Sequence, residues 1–412
     1  MKMAELSKVM PLQFGLFVLI TFLREGFMKK FFRHHRKYAS VLFIFALALS
    51  FVLLAGGTGF HGFDNAAAFT AGQGNVPAVL DKNNPQIQAV IAIQNRHTPG
   101  LMALPDVVGT ATGLTDDGYP AVFVFTKRFG TRGIPASLEG TPVKVSVTGE
   151  FYALRPDKGG GGTATKVSTT SVLTPPVPIG VSTGNENECS AGTIGARVTD
   201  GANFYALSNN HVYALENDAP NHLSNRVLQP GLYDTQCIAS GNFIGELPPD
   251  RVSDFFIPIK FGTDSNTVDA ALALIYEDSS GNPMVGNATP SNGYGTPKSA
   301  TVNAAVGQAV QKYGRTSQLT TGTITATNGT ITINYGTAGN ATFYNQIIVQ
   351  SSKPFIKAGD SGSLLVTKTG HYPVGLLFAG DSSGKYAIAN DIYNVLTLLS
   401  DNLGTTLWID GN

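Results

Sequence analysis

Charge is scarce in this chain. Only 14% of its 412 residues are Asp, Glu, Lys or Arg, and the formal net charge is zero. With 42% apolar residues, that scarcity excludes a disordered polyelectrolyte and allows a sizeable core. No basic stripe is present, which argues against nucleic acid as a partner. Cysteine is rarer still, with Cys189 and Cys237 alone. There is no Cys-x-x-Cys and no clustered His, so neither a structural metal site nor a metal or organic cofactor is expected. What the chain has in quantity is glycine, 47 residues, with Thr, Ser, Val and Asn recurring through its second half. That mixture favours short strands and tight turns over helices.

The zero net charge conceals an asymmetry. Residues 1–68 hold eight of the 28 Lys and Arg and three of the 28 Asp and Glu, which leaves the remainder acidic by about five charges. Lys29, Lys30, Arg33, Arg36 and Lys37 precede an uncharged run from Ala39 to Ala55, and Ala66-Ala67-Ala68 offers a small-residue cleavage site. A basic stretch before an apolar one of this length reads as a signal peptide or an N-terminal membrane anchor over 1–68. The chain is therefore expected outside the cytosol, secreted, periplasmic or at the cell surface, with membrane contact only through that segment. In an oxidising compartment Cys189 and Cys237 can close a loop of about 49 residues, worth about 4 kcal/mol in the chain-entropy model. The alternative is two separate buried thiols.

Beyond the export segment, residues 75–155 read as a small α/β domain. Ile87, Val90, Ile91 and Ile93 carry helical spacing from Asn84 to Gln94, ending before Thr98-Pro99-Gly100. Strands at Val107–Thr110 and Ala121–Phe125 flank Asp116-Asp117-Gly118, a hairpin signal, and Val143–Val147 forms a third. The domain carries no motif that demands chemistry and is read as a folding or docking module, or as an inhibitory pro-segment. Residues 156–180, with Gly159–Gly162 and Pro175, Pro176 and Pro178, read as a linker. From 181 to 412 short strands follow one another, including Phe255–Phe261, Gly322–Ala326 and Thr330–Tyr335, with one helix at Asn390–Ser400. That density of strands suggests packed β-barrels or a sandwich.

Three motifs stand out in the last domain: Ser208-Asn209-Asn210-His211-Val212, Val268-Asp269-Ala270 and Gly359-Asp360-Ser361-Gly362. A serine hydroxyl becomes a strong nucleophile when a base takes its proton and an acid orients the base. His211, Asp269 and Ser361 supply the three types, with Asp254 the rival acid. The glycines of the last motif let successive amides converge, so the N–H groups of Gly359 and Ser361 form an oxyanion hole. Asp360 is read as shaping the loop. His211, expected on a loop after the Phe204–Leu207 strand, sits 58 residues before Asp269, which is 92 before Ser361.

The order His, Asp, Ser and these local contexts resemble the chymotrypsin/trypsin-like serine peptidases, especially bacterial and HtrA-like members with a similar Asn-Asn-His-Val context. The resemblance covers 181–412. It implies a mainly β fold of two packed antiparallel β-barrels, preceded here by the small α/β domain and the export segment, with the triad in the cleft between barrels. It implies a serine endopeptidase acting on a protein or peptide substrate through an acyl-enzyme. Phe355 stands where tryptic members carry a specificity Asp, so a small apolar pocket is expected instead. Gly375–Gly380 resembles the strand that pairs with an extended substrate, which puts Phe378 and Gly380 in the substrate groove. The alternative is a catalytically silent peptide-binding module on the same barrels.

Overall fold

The computed structural model describes residues 80–154, 168–262 and 265–412. The expected export segment at 1–68 and Gly159–Gly162 lie outside the described residues. Asn75–Asn412 forms one compact unit.

The chain is mainly β. Eight strands make one curled sheet in the order Trp408–Ile409, Ala196–Thr199, Phe204–Ser208, Ala271–Ile275, Asn242–Glu246, Arg226–Gln229, Ser182–Asn185 and Gly192–Thr193. Its inward residues, among them Ile194, Val198, Leu207, Leu272 and Ile244, are buried together with Val395 and Leu399 of the Ile392–Leu403 helix. A second sheet closes on itself. Ala309–Gly314, Gln318–Asn334, Asn340–Gln350, Tyr386–Asp391, Pro373–Asp381 and Leu364–Thr367 pair in turn, all antiparallel, and the last pairs back to the first. Closure removes the exposed edges an open sheet would leave. Val310, Ile324, Ile347, Leu365, Leu377 and Ala389 fill the interior.

The small α/β part is joined to this second barrel by backbone pairing. Val107–Leu114 pairs antiparallel with the far end of Gln318–Asn334, and Pro120–Thr126 and Thr141–Val147 extend the sheet outward. Phe125 and Phe151 sink into a core shared with Ile331, Ile333, Phe343 and Phe378 of the barrel. Each fully buried aromatic of this kind is worth about 1.5–3 kcal/mol.

Four expectations need correction. The first helix runs from Pro85 to Met102, straight through Pro99, with Asn84 accepting from Gln86 N at its start. Proline there removes a backbone bond, but Thr98 Oγ1 donates to Gln94 O at 2.8 Å, and Leu101 beyond it packs with Val107 and Val122. The two strands expected around Asn328-Gly329 are one, Gln318–Asn334, because the positive φ of Asn328 (54°) is absorbed by a bulge instead of a turn. Phe255–Phe261 is not a strand: a 3₁₀ turn spans Val252–Phe255, followed by a single bridge from Phe256 to Ala271. The linker expected up to 180 is shorter. Val177 and Ile179 are fully buried in the first barrel, their N–H groups bonded to Met284 O and Ala288 O.

Candidate active site

His211 lies in a single helical turn, Asn210–Tyr213, rather than on an open loop. The turn is pinned by its neighbours: Asn209 Nδ2 donates to Asp269 O at 2.7 Å, and Asn210 Nδ2 donates to Ile257 O at 2.8 Å. Asp269 immediately precedes the Ala271–Ile275 strand, which pairs with Phe204–Ser208. That pairing brings the two side chains together. His211 Nδ1 stands 2.6 Å from Asp269 Oδ2, the His211 amide donates to Oδ1 at 3.2 Å, and both residues are buried. Asp254, the rival, lies in the Val252–Phe255 turn.

A carboxylate can only accept, so a 2.6 Å contact puts the proton on Nδ1 and leaves Nε2 as the basic nitrogen. His211 Nε2 is buried and makes no hydrogen bond. An unpaired buried acceptor costs about 1–3 kcal/mol, so it marks a group held ready for a proton.

Two further residues hold Asp269. Tyr335 Oη donates to Oδ2 at 2.8 Å, with its ring edge-on to His211, and Asn390 Oδ1 accepts from the Asp269 amide at 2.9 Å. Neither was indicated by a sequence motif. Tyr335 ends the long barrel strand and Asn390 precedes the last helix, so only closure of the second barrel brings them to a residue of the first. Removing the hydroxyl with Tyr335→Phe should slow a reaction that uses His211 as its base by about 10- to 100-fold, the loss of one hydrogen bond to a charged group, with KM unchanged. Steady-state kinetics on a peptide substrate checks the split.

Ser361 is fully buried, and its hydroxyl reaches Leu154 O and Phe378 O, each at 3.2 Å. Gly359, at φ 91°, turns its N–H onto the same Leu154 oxygen at 3.0 Å. The loop between them is fixed by Asp360. Its carboxylate accepts from Thr316 N (2.8 Å), Ser317 N (3.0 Å) and Lys357 N (2.9 Å), from Ser317 Oγ, and faces Lys312 Nζ at 3.0 Å. Burial pushes the Asp360 carboxyl up, but the Lys312 charge and the bonds from Ser317 outweigh it and hold it below the usual carboxylate range. Thr193 ties the loop to the first barrel, its amide donating to Ser361 O at 2.8 Å and its hydroxyl to Gly359 O at 2.9 Å.

Phe355 and Phe378, expected in the groove, both have fully buried side chains. Phe355 belongs to the barrel interior beside Ile356, and partly buried Leu154 packs against that cluster. Phe378 stacks on Phe343 at 4.8 Å and offers the site only its carbonyl. Gly380 lies where a Cβ would sit 3.2 Å from Leu154 Cδ1 and 2.7 Å from Ile356 Cγ2. The space its missing side chain leaves is taken by Ile356 and the Tyr386 carbonyl, with Leu154 next. Cys189 and Cys237 are bonded, with Cα atoms 5.1 Å apart. Between them Asp234 pairs with Arg315, which flanks the Gly359 loop.

The family described as the Nal1 C-terminal domain matches residues 294–391, a stretch that holds Ser361 but neither His211 nor Asp269. No curated protein matches the chain. Solved structures that match include a glutamic acid specific serine protease, at 21% identity and TM-score 0.37, covering 57% of this chain and 100% of that one. Thermobifida fusca Protease A matches at 19% identity and TM-score 0.38, over 57% and 99%. Cellulomonas bogoriensis chymotrypsin matches at 18% and 0.35, over 57% and 99%. These names describe those proteins, and at these TM-scores the likeness carries no argument about this chain. Identity this low carries nothing about activity, which has to be argued from the side chains.

Proposed function

We propose that the chain is an exported serine endopeptidase in which His211 is the base, Asp269 its orienting acid and Ser361 the nucleophile. The observation that carries this reading is a peptide carbonyl, that of Leu154, set between the Gly359 N–H and the Ser361 hydroxyl. That is where a reacting carbonyl must lie for the amide to stabilise the oxyanion. Turning the Ser361 hydroxyl toward His211 Nε2 lets the ring take its proton as Oγ attacks. Asp269 balances the imidazolium, which then protonates the leaving amine. Gly359 N–H and Ser361 N–H hold the oxyanion, each such donor contributing about 10²- to 10³-fold. The Cys189–Cys237 bond supports the oxidising compartment expected from the N-terminal segment.

A fluorophosphonate probe tests the reading directly. Peptide mapping should locate the adduct on Ser361, and Ser361→Ala should take no label. Absence of label from the folded chain and from a variant lacking residues 151–154, in which no peptide carbonyl occupies the Gly359 N–H, would favour the silent peptide-binding module.

A further inference from the structure

Asp269 lies outside the strands, and both polar groups of its backbone are satisfied by side chains. Its N–H donates to Asn390 Oδ1 at 2.9 Å, and its carbonyl accepts from Asn209 Nδ2 at 2.7 Å. The place of its carboxylate therefore depends on what holds those amides. Asn390 Nδ2 donates to Gln346 Oε1 at 2.7 Å, and Gln346 Nε2 donates to Thr267 O at 2.8 Å and to Tyr344 O. Gln346 and Asn390 are both buried, so solvent does not readily replace these bonds. The chain of bonds has one polarity. Both Nε2 hydrogens of Gln346 go to carbonyls, which leaves its oxygen for Asn390. Asn390 must then present its NH₂ to Gln346 and its own oxygen to the Asp269 amide. A reversed Gln346 would set an oxygen against two carbonyls.

A bulge aims Gln346. Between the pairs Gly329↔Gln346 and Ile331↔Phe343, Tyr344 and Asn345 stand opposite Thr330 alone, and both are exposed. Asn345 sits at φ 61°, a left-handed backbone that Asn tolerates and a β-branched residue does not. Phe343 and Ile348, five residues apart, consequently share one core, where strict alternation would put them on opposite faces. Gln346, two residues before Ile348, turns with it and reaches Thr267 and Asn390.

We propose that Gln346 is a positioning residue, held in place by the Asn345 bulge. Through Thr267 and Asn390 it fixes the Asp269 peptide, and so keeps the carboxylate against His211 Nδ1. Its effect on rate rests on the peptidase reading above; its effect on the His211–Asp269 contact does not. Gln346→Met keeps the length of the side chain and removes all three hydrogen bonds. It should lower kcat by about 10- to 100-fold and leave KM unchanged, as a small displacement of the base's partner does. In an Asp269→Asn background the same change should cost less than about twofold, because a residue that acts through the carboxylate then has nothing to act on.

The experiment measures peptide hydrolysis, fluorophosphonate labelling and the proton NMR spectrum of the full chain and its variants. The His211 Nδ1 proton, held far downfield by its 2.6 Å contact with Asp269, should move upfield in Gln346→Met. Asn345→Val, an exposed change that the left-handed backbone rejects, should reproduce the slower rate and the moved proton with Gln346 intact, and it decides the matter if Gln346→Met does not fold. A folded Gln346→Met with the parent's kcat and an unmoved proton overturns the proposal. So does a loss of rate that is equally large in the Asp269→Asn background, since Gln346 would then act by another route. A parent chain that takes no label ends the peptidase reading, and the proton alone then judges Gln346: unmoved, the positioning role falls too; moved, it stands without the enzyme.

Discussion

Asp269→Asn is expected to leave the fold in place and lower kcat by about 10⁴-fold, equivalent to about 5.5 kcal/mol of transition-state stabilisation. The loss comes from the proton's position rather than from shape. Asp269 Oδ2 lies 2.6 Å from His211 Nδ1, so it keeps the ring protonated there and the other nitrogen basic. An amide turned toward the ring donates its own hydrogen. The proton then moves to Nε2, where the ring can no longer accept one from Ser361. The backbone contacts survive, since Asn209 still donates to the carbonyl of residue 269 and Asn390 still accepts from its amide. The thermal midpoint should accordingly move by only a few degrees, while the fluorophosphonate labelling rate collapses. A loss below about tenfold would mean that Asp269 does not set the tautomer, and that the His211–Asp269 pair is a structural contact.

The three candidate side chains were legible in the sequence because each sits in a local motif: an apolar strand running into Ser-Asn-Asn-His, an Asp just before another strand, a Ser framed by glycines. What supports them was not. Tyr335 lies 66 residues from Asp269 and Asn390 lies 121, and neither neighbourhood differs from an ordinary strand end. Their roles arise from barrel closure, which is a long-range property. Leu154 was hidden for another reason, since it meets Gly359 and Ser361 through its carbonyl, and any residue type has a carbonyl. The misread boundaries share one cause. Pro99, Asn328-Gly329 and the prolines near 176 read locally as punctuation, but burial of Leu101, pairing on both flanks of Asn328, and burial of Val177 and Ile179 override the local signal.

Lys312→Met should be the most damaging change outside the triad, costing about 3–5 kcal/mol because it strands a buried carboxylate. Lys312 on the Ala309–Gly314 strand and Asp360 in the loop that carries Gly359 and Ser361 are both fully buried, 3.0 Å apart. Adding Asp360→Asn to Lys312→Met should restore part of that stability. The amide keeps an oxygen for Thr316 N and Ser317 N, and the stranded charge is gone; the bonds donated to the other oxygen by Lys357 N and Ser317 Oγ are lost. pH gives an independent check. Asp360 is held below its ordinary range in the fold, so its contribution is complete above about pH 4 and disappears as pH falls through the lowered folded value. The single variant has no such contribution to lose, so the gap between it and the parent should narrow on acidification. Urea unfolding at a series of pH values reads the gap, and the fluorophosphonate labelling rate reads the loop. A double variant as unstable as Lys312→Met, or a gap that widens in acid, would show that the pair fills space without holding the nucleophile loop by charge.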